Sequence, residues 1–391
     1  MPWQEVKPMD QKLLFIADYV RKITTFSELC RRYGISRKTG YKWISRYEDL
    51  GLEGLCDRSQ RPLNQPFRTP YTVRKKIIEL RMKYKDAWGA KKIQATLLRD
   101  YPDWNIPSRT TIYNILNEEG LVHAQRRRKR VPLGLHPFKT VNEPNVVWSA
   151  DFKGQFKTKN GIWCYPLTIM DHHSRYLLAC QDLKGTGLER TKQVFERLFR
   201  QYGLPQRIRT DNGVPFASTS VGGLSRLSKW WIRLGIIPER IKPGKPQQNG
   251  QHERMHRTLK AAAIVPPAKN AQLQQQAFDV FQDYYNHERP HESLDQQPPV
   301  ASYKPSEREM PDILPELEYP AHFKVALVHH NGIIQHYGTR VYIAGLLQGE
   351  KVGVEEIADG VWEVYFGPVK LGRFEKRKNK TSGNDYITLK V

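Results

Sequence analysis

The chain has 391 residues, 39% hydrophobic, 11% aromatic and 26% charged, with a formal net charge of +23. This predicts roughly two to four folded domains and excludes a mostly disordered chain. The positive excess calls for a polyanionic partner, either nucleic acid or an acidic membrane surface. The opening MPWQEVKPMDQKLL lacks the apolar core of a signal peptide, and no apolar run approaches a membrane span. Neither secretion nor membrane insertion is therefore expected. Cys30, Cys56, Cys164 and Cys180 form no close CxxC pair. Free thiols in a reducing compartment fit them better than a disulfide scaffold or a zinc knuckle.

Residues 1–60 read as short helices, with apolar periodicity over 11–20 and 27–33 and Thr24, Thr25 or Ser27 as candidate caps. Gly34-Ile35-Ser36 followed by RKTGYKWISRY gives a glycine turn and a serine-capped helix, the helix-turn-helix layout. Ile35, Tyr41 and Ile44 are assigned to the core. Arg37, Lys38, Lys42 and Arg46 are left to meet DNA phosphates or base edges. A plain three-helix bundle with a solvated basic face is the alternative. Residues 61–71, with their prolines, read as a linker. Residues 72–124 repeat the helix-turn-helix proportions, with Ser108 capping a helix that starts at Arg109, a further DNA-contact candidate, and stops before Gly120. The basic linker 125–141 carries Arg126, Arg127, Arg128, Lys129 and Arg130 in a row, suited to clamping a phosphate backbone.

The texture changes at 142–305. Three β-rich runs (PNVVWSADFKGQF, IWCYPLTIMD, YLLACQ) predict an antiparallel meander, followed by an amphipathic helix at 187–202. A short strand then ends at Asp211, a helix covers 224–234, and a further helix carries Glu253. This describes an α/β core with a mixed five-stranded sheet flanked by helices. A linker at 306–318 precedes short glycine-separated strands at 319–378, which suit a small β-barrel or sandwich of five or six strands, and a basic tail at 379–391.

Asp151 and Asp211 each end a strand, and a helix packed on the sheet can bring Glu253 to the same point. Three such carboxylates repel one another unless cations bind. Oxygen ligands at a phosphate-handling site suit Mg2+ or Mn2+. Two ions roughly 4 Å apart can activate an attacking oxygen and stabilise a leaving one.

WSADFKG around Asp151, IRTDNGVPF around Asp211 and KPGKPQQNGQHERMHRTLK around Glu253 resemble the three core motifs of retroviral-integrase-like (DDE) transposases of bacterial insertion sequences. TIMDHHSRYLL and YNHERPHESL extend the likeness, and the leading helical pair also looks like that family's arrangement. The resemblance implies a ribonuclease-H-like catalytic core in which Asp151, Asp211 and Glu253 are the catalytic and metal-binding residues, holding two Mg2+ (or Mn2+) ions. It implies hydrolysis that frees a 3′-OH at a transposon end, then attack of that 3′-OH on target DNA, by a homo-oligomer that is at least a dimer. In a bacterium it would act in the cytoplasm, on the nucleoid. The C-terminal strands resemble the SH3-like modules that follow integrase cores. Asp211 and Glu253 lie further apart than is usual in the superfamily, with the extra length placed in ASTSVGGLSRLSKWW.

Beside the triad, Lys242, Lys245, Gln248, Asn249 and Arg254 are placed to contact DNA phosphates. Asn212 fits an Asx turn or a DNA contact. His252 is expected to point away from the site and His256 to be a solvated surface histidine. Tyr285, Trp148, Trp163, Trp230 and Trp231 are assigned to the core or to domain interfaces, and Arg289 to a carboxylate or DNA. The competing readings are a transposase-derived regulator with an inactive core, an RNase-H-like nuclease and a nucleoid architectural protein.

Overall fold

The structure, a computed structural model, describes residues 8–57, 68–84, 87–122, 141–218, 220–241, 246–375 and 387–390. The chain divides into two compact units, Met1–Pro70 and Tyr71–Val391.

The first unit packs α1 (Pro8–Val20), α2 (Phe26–Arg32) and α3 (Arg37–Leu50) around Phe15, Ile16, Leu29, Cys30, Trp43 and Ile44. Ser36 caps α3 as its position predicts, its hydroxyl accepting from the Thr39 amide at 3.2 Å. Gly34, at φ 63°, makes the left-handed turn between α2 and α3 that glycine adopts without strain. Gly40 lets the two helices approach closely: a Cβ there would lie 2.8 Å from Cys30 Sγ. Tyr41, assigned to the core from sequence, is exposed instead, its ring tilted against that of Phe26 at 4.2 Å between centroids.

In the second unit, α4 (Tyr71–Tyr84), α5 (Ala90–Asp100) and α6 (Arg109–Glu118) enclose Ile77, Ile93, Leu97 and Ile112. Ser108 caps α6 by accepting from the Thr111 amide. These helices dock on the end of the following sheet domain. Tyr84 stacks on Trp88 and on Tyr284, and the Trp88 indole donates to the Tyr284 hydroxyl at 2.7 Å.

The central sheet contains β1 (Val147–Phe152), β3 (Trp163–Asp171), β4 (Leu177–Leu183), β5 (Arg207–Thr210) and β6 (Ile237–Arg240). β3 runs antiparallel to β1 and β4, while β5 pairs parallel with both β1 and β6. A two-residue strand, β2 (Phe156–Lys157), adds a sixth to the five expected by pairing with the start of β3. The pleat sorts side chains by face. Trp148, Ala150, Leu167 and Ile169 meet α7 (Leu188–Tyr202) and α8 (Arg226–Arg233) in one core. Met170 on the opposite face meets α9 (Gly250–Leu259) and α10 (Ala271–Asp283) through Met255, Leu259 and Phe278.

The C-terminal region corrects the expectation of an SH3-like barrel. β7 (Lys324–Leu327), β10 (Lys351–Ala358), β11 (Val361–Phe366) and β12 (Val369–Glu375) form one antiparallel sheet in the order β12-β11-β10-β7. β8 (Ile333–His336), β9 (Thr339–Tyr342) and β13 (Ile387–Thr388) form a separate three-stranded sheet. β7 ends after four residues, and the chain turns at Gly332 (φ 76°) into the β8–β9 hairpin, so the ladder does not run round to close. The shared apolar core is completed from outside, by Leu224 and by Ile232 of α8. The extra length between Asp211 and Glu253 thus packs partly against this C-terminal layer, through Val221 and Leu224. Among the described residues, no helix is long and apolar enough to cross a membrane.

Candidate metal and nucleic-acid site

Strand alternation puts Ser149 and Asp151 of β1, and Thr168 of β3, on the sheet face that meets α9. Thr168 is the direct cross-strand neighbour of Asp151. The parallel pairing of Ala150 with Thr210 sets Asp211, the next residue after β5, level with Asp151. Glu253 lies in the first turn of α9. The charges of these acids act on one another. The Asp151 carboxyl is pushed up to about 7, first by burial, then by the Asp211 charge and, more weakly, by that of Glu253. Glu253 is exposed and Asp211 half-buried.

Each acid has its own support. The Asn249 amide donates to Asp151 Oδ2 at 3.1 Å. The Gly213 amide donates to Asp211 Oδ1 at 3.0 Å, so the Asx turn belongs to Asp211 itself. Asn212 donates instead to the Ile241 carbonyl.

Two histidines complete the floor of the site. His252 and His256 are buried, 0% and 7% exposed, which corrects both the reading of His252 as pointing away from the site and that of His256 as a surface residue. Both Nε2 atoms lie 2.7 Å from Thr168 Oγ1, whose hydroxyl donates to the Asp151 carbonyl at 3.0 Å. With that proton so committed, both imidazoles donate from Nε2, and His252 Nδ1 accepts from Ser149 at 2.9 Å. His256 Nδ1 then presents a lone pair 3.9 Å from Asp151 Oδ2. Burial pushes both imidazoles well down, to about 3 for His252 and about 2 for His256, so both are neutral. Asp151, His252 and His256 form a cluster able to hold a metal ion, their ligand atoms all within 4.8 Å of one another. Only the His256 nitrogen is available without breaking a hydrogen bond. The sequence carried a signal for this pair: 252, 255, 256 and 259 share one helical stripe with the apolar Met255 and Leu259.

The other sequence candidates are distributed as follows. Arg37, Lys38 and Lys42 are exposed on α3, with Arg46 half-buried. Lys42 and Arg46 lie over the Trp43 ring. Arg109 is exposed at the start of α6 and Arg254 is exposed on α9. Gln248 and Asn249 are buried. Arg126, Arg127, Arg128, Lys129, Arg130, Lys242 and Lys245 lie outside the described residues. Trp148, Trp230, Trp231 and Tyr285 are buried as expected, whereas Trp163 is exposed. Asp171, in the TIMDHHSR segment, is fully buried and accepts from the Asn145 amide and from the amide and hydroxyl of Ser174. It therefore organises the β3–β4 turn.

The chain matches two models described as integrase core domain, over residues 141–246 and 234–299. It also matches a helix-turn-helix domain over 11–62 and a homeodomain-like domain over 39–116. It is 32% identical over 179 residues to the Gag-Pol polyprotein of baboon endogenous virus (strain M7), an alignment covering 44% of this chain and 10% of that one. An uncharacterized 39.2 kDa protein of insertion element IS476 from Xanthomonas euvesicatoria is 25% identical, over 69% of this chain and 75% of that protein. The chain thus spans only a small part of the viral polyproteins it matches. Among solved structures, the simian T-cell lymphotropic virus intasome chain is 18% identical with a TM-score of 0.36, covering 75% of this chain and 97% of that one. The HTLV-2 integrase catalytic core domain in complex with magnesium is 17% identical with a TM-score of 0.33, covering 41% and 97%.

Proposed function

Since the chain belongs to the integrase catalytic-core superfamily and carries helix-turn-helix domains ahead of that core, we propose that it is a metal-dependent polynucleotidyl transferase, and more narrowly a DNA transposase. What supports this reading is the electrostatic coupling of Asp151 to Asp211 and Glu253, which come from β1, the residue after β5 and α9. The donor set fits divalent cations: carboxylate oxygens that repel one another at neutral pH, beside a neutral imidazole nitrogen. The three acids would hold Mg2+ or Mn2+, and two such ions would activate the attacking oxygen and stabilise the leaving one.

The protein's own groups do the positioning. Asn249 fixes the rotamer of Asp151, Gly213 fixes Asp211, and the Thr168–histidine network holds the α9 face against β1 and β3. In the first reaction water attacks phosphorus, the P–O3′ bond breaks, and a 3′-OH and a 5′-phosphate result. In the second, that 3′-OH attacks a target phosphodiester; a new P–O3′ bond forms and the target's own 3′-oxygen leaves. Phosphate chemistry carries no sequence information, so the α3 and α6 surfaces, with Arg37, Lys38, Lys42, Arg46 and Arg109, are assigned to reading transposon-end duplex DNA. Arg254, Lys242, Lys245 and the run from Arg126 to Arg130 are assigned to strands near the scissile bond or leading to it, while the buried Gln248 and Asn249 are left to support the site from within. Holding two ends requires at least a dimer.

The test is cleavage of labelled duplex carrying the element's own terminal sequence. Magnesium-dependent nicking by the wild type, lost in EDTA and reduced at least a hundredfold in Glu253→Gln, is expected. Specific binding without metal-dependent cleavage would instead support a DNA-binding regulator.

A further inference from the structure

Behind the carboxylates, on the adjoining face of α9, lies a cavity of about 450 Å³. Its walls come from separate parts of the fold. Lys92 comes from α5 of the second helix-turn-helix unit, Arg175 from the β3–β4 turn, Arg254 and Arg257 from α9, and Arg289 from the segment after α10. Glu292 is the acid on the wall, and it is exposed and paired with Lys91 at 2.5 Å.

The hydrogen-bond acceptors facing these cations are neutral. Arg175 donates to the His172 carbonyl, to Gln251 and, at 3.5 Å, to the Ser293 hydroxyl. Arg289 donates to the Tyr284 hydroxyl at 3.2 Å and to Thr258 at 3.4 Å. Among the described residues none of the five is in an ion pair with a carboxylate. Burial, then the neighbouring Arg289 charge, pulls Lys92 down to about 7. His291 Nε2, buried on the same wall, has no hydrogen-bond partner. Gathering like charges with so little compensation is costly, and a bound anion removes the cost. Arginine forks in particular match phosphate oxygens.

We propose that this cavity is a phosphate-binding site for the DNA backbone, holding the strand that runs from the second helix-turn-helix unit to the carboxylates. Helix geometry gives the route. Arg257 shares a face with Arg254 at i−3 and with Glu253 at i−4, so it stands between the cavity and the acids. A strand leaving α5 past Lys92 reaches Glu253 along Arg257. The identity of the polymer rests on the DNA-processing reading above; the existence of an anion site rests on the cavity itself.

The test is equilibrium binding of the full-length protein to a short random-sequence duplex in EDTA, across a potassium chloride series. It needs neither metal nor cleavage, so its outcome is separate from that of the catalytic reading. Lys92→Gln and Arg257→Gln are each expected to weaken binding several-fold and to flatten the log K against log salt slope by about 0.9 for each phosphate no longer neutralised. Arg200→Gln, on the exposed face of α7, is expected to leave the slope unchanged. Lys92→Gln removes a half-buried charge and Arg257→Gln alters an exposed residue, so both should keep the wild-type melting temperature; a variant that does not is set aside and the other decides. Wild-type slopes in the folded variants would overturn the proposal. A third arm titrates inorganic pyrophosphate and follows melting. Pyrophosphate that stabilises the wild type but not the variants, with DNA slopes unchanged, would assign the cavity to a free phosphate compound and overturn its role in holding DNA.

Discussion

Asp151 keeps its place beside two other acids at the expense of its charge. Its carboxyl sits at about 7 against an ordinary 3.8, so the folded, metal-free protein retains a proton that the unfolded chain has lost between those values. The stability this confers is present at low pH and lost as pH rises through about 7. His252 and His256 act with the opposite sign. Their folded values lie below 6.5, so the unfolded chain takes up protons first and acid destabilises the fold below that pH. Metal must displace the Asp151 proton, so magnesium is expected to raise the melting temperature more at pH 8 than at pH 6. In Asp151→Asn that difference should vanish and the metal-free protein should be stabilised by on the order of 1 kcal/mol at pH 8. Equal magnesium shifts at both pH values in the wild type would contradict this. Asp151, Asp211 and Glu253 stand out in the sequence because each sits in a distinctive local motif. The histidines were misread because adjacency to Glu253 says nothing of which side of α9 meets the sheet; the stripe through Met255 and Leu259 does.

At the level of elements, local chemistry was the legible part. Ser36 and Ser108 cap α3 and α6, and the strand–helix alternation of the core follows from periodicity alone. Tyr41 was misassigned because it lies at the edge of the apolar stripe of α3, where its ring meets Phe26 of α2 but stays largely exposed. Gly40 marks where that stripe presses closest. Alanine is the better helix former by about 1 kcal/mol, yet a Cβ there would meet Cys30 Sγ at 2.8 Å and Phe26 Cζ at 2.9 Å. Gly40→Ala is therefore expected to destabilise the first unit by about 1–3 kcal/mol. Chemical denaturation followed by Trp43 fluorescence checks the sign, and a stabilised variant would refute the packing argument. Six of the C-terminal strands were legible as apolar runs, but β13, inside the basic tail, and the pairing of the strands were not. A strand pattern shows which residues are apolar, not whether another strand or a neighbouring domain covers them. Here Leu224 and Ile232 do the covering.

The whole molecule depends on long-range packing that no local pattern reveals. Trp88 and Tyr284 are 196 residues apart, and their hydrogen bond, with the Tyr84 stack, fastens α4–α6 to the catalytic core. Lys83 and Lys91 add ion pairs to Glu288 and Glu292, exposed enough to contribute little. Tyr284→Ala is expected to cost about 2–4 kcal/mol of local stability. Hydrogen exchange should then quicken in 71–122 while β1, β3 and β4 stay protected; unchanged exchange in α4–α6 would show that the aromatic stack is dispensable. The proposed reaction joins DNA as well as cutting it. The direct measurement is transfer of a labelled, pre-cleaved element end into target DNA by the purified protein with magnesium, beside Glu253→Gln. Joined product with the wild type alone is the predicted result. A wild-type protein that binds and nicks the end yet never joins it would contradict the account and leave a nuclease.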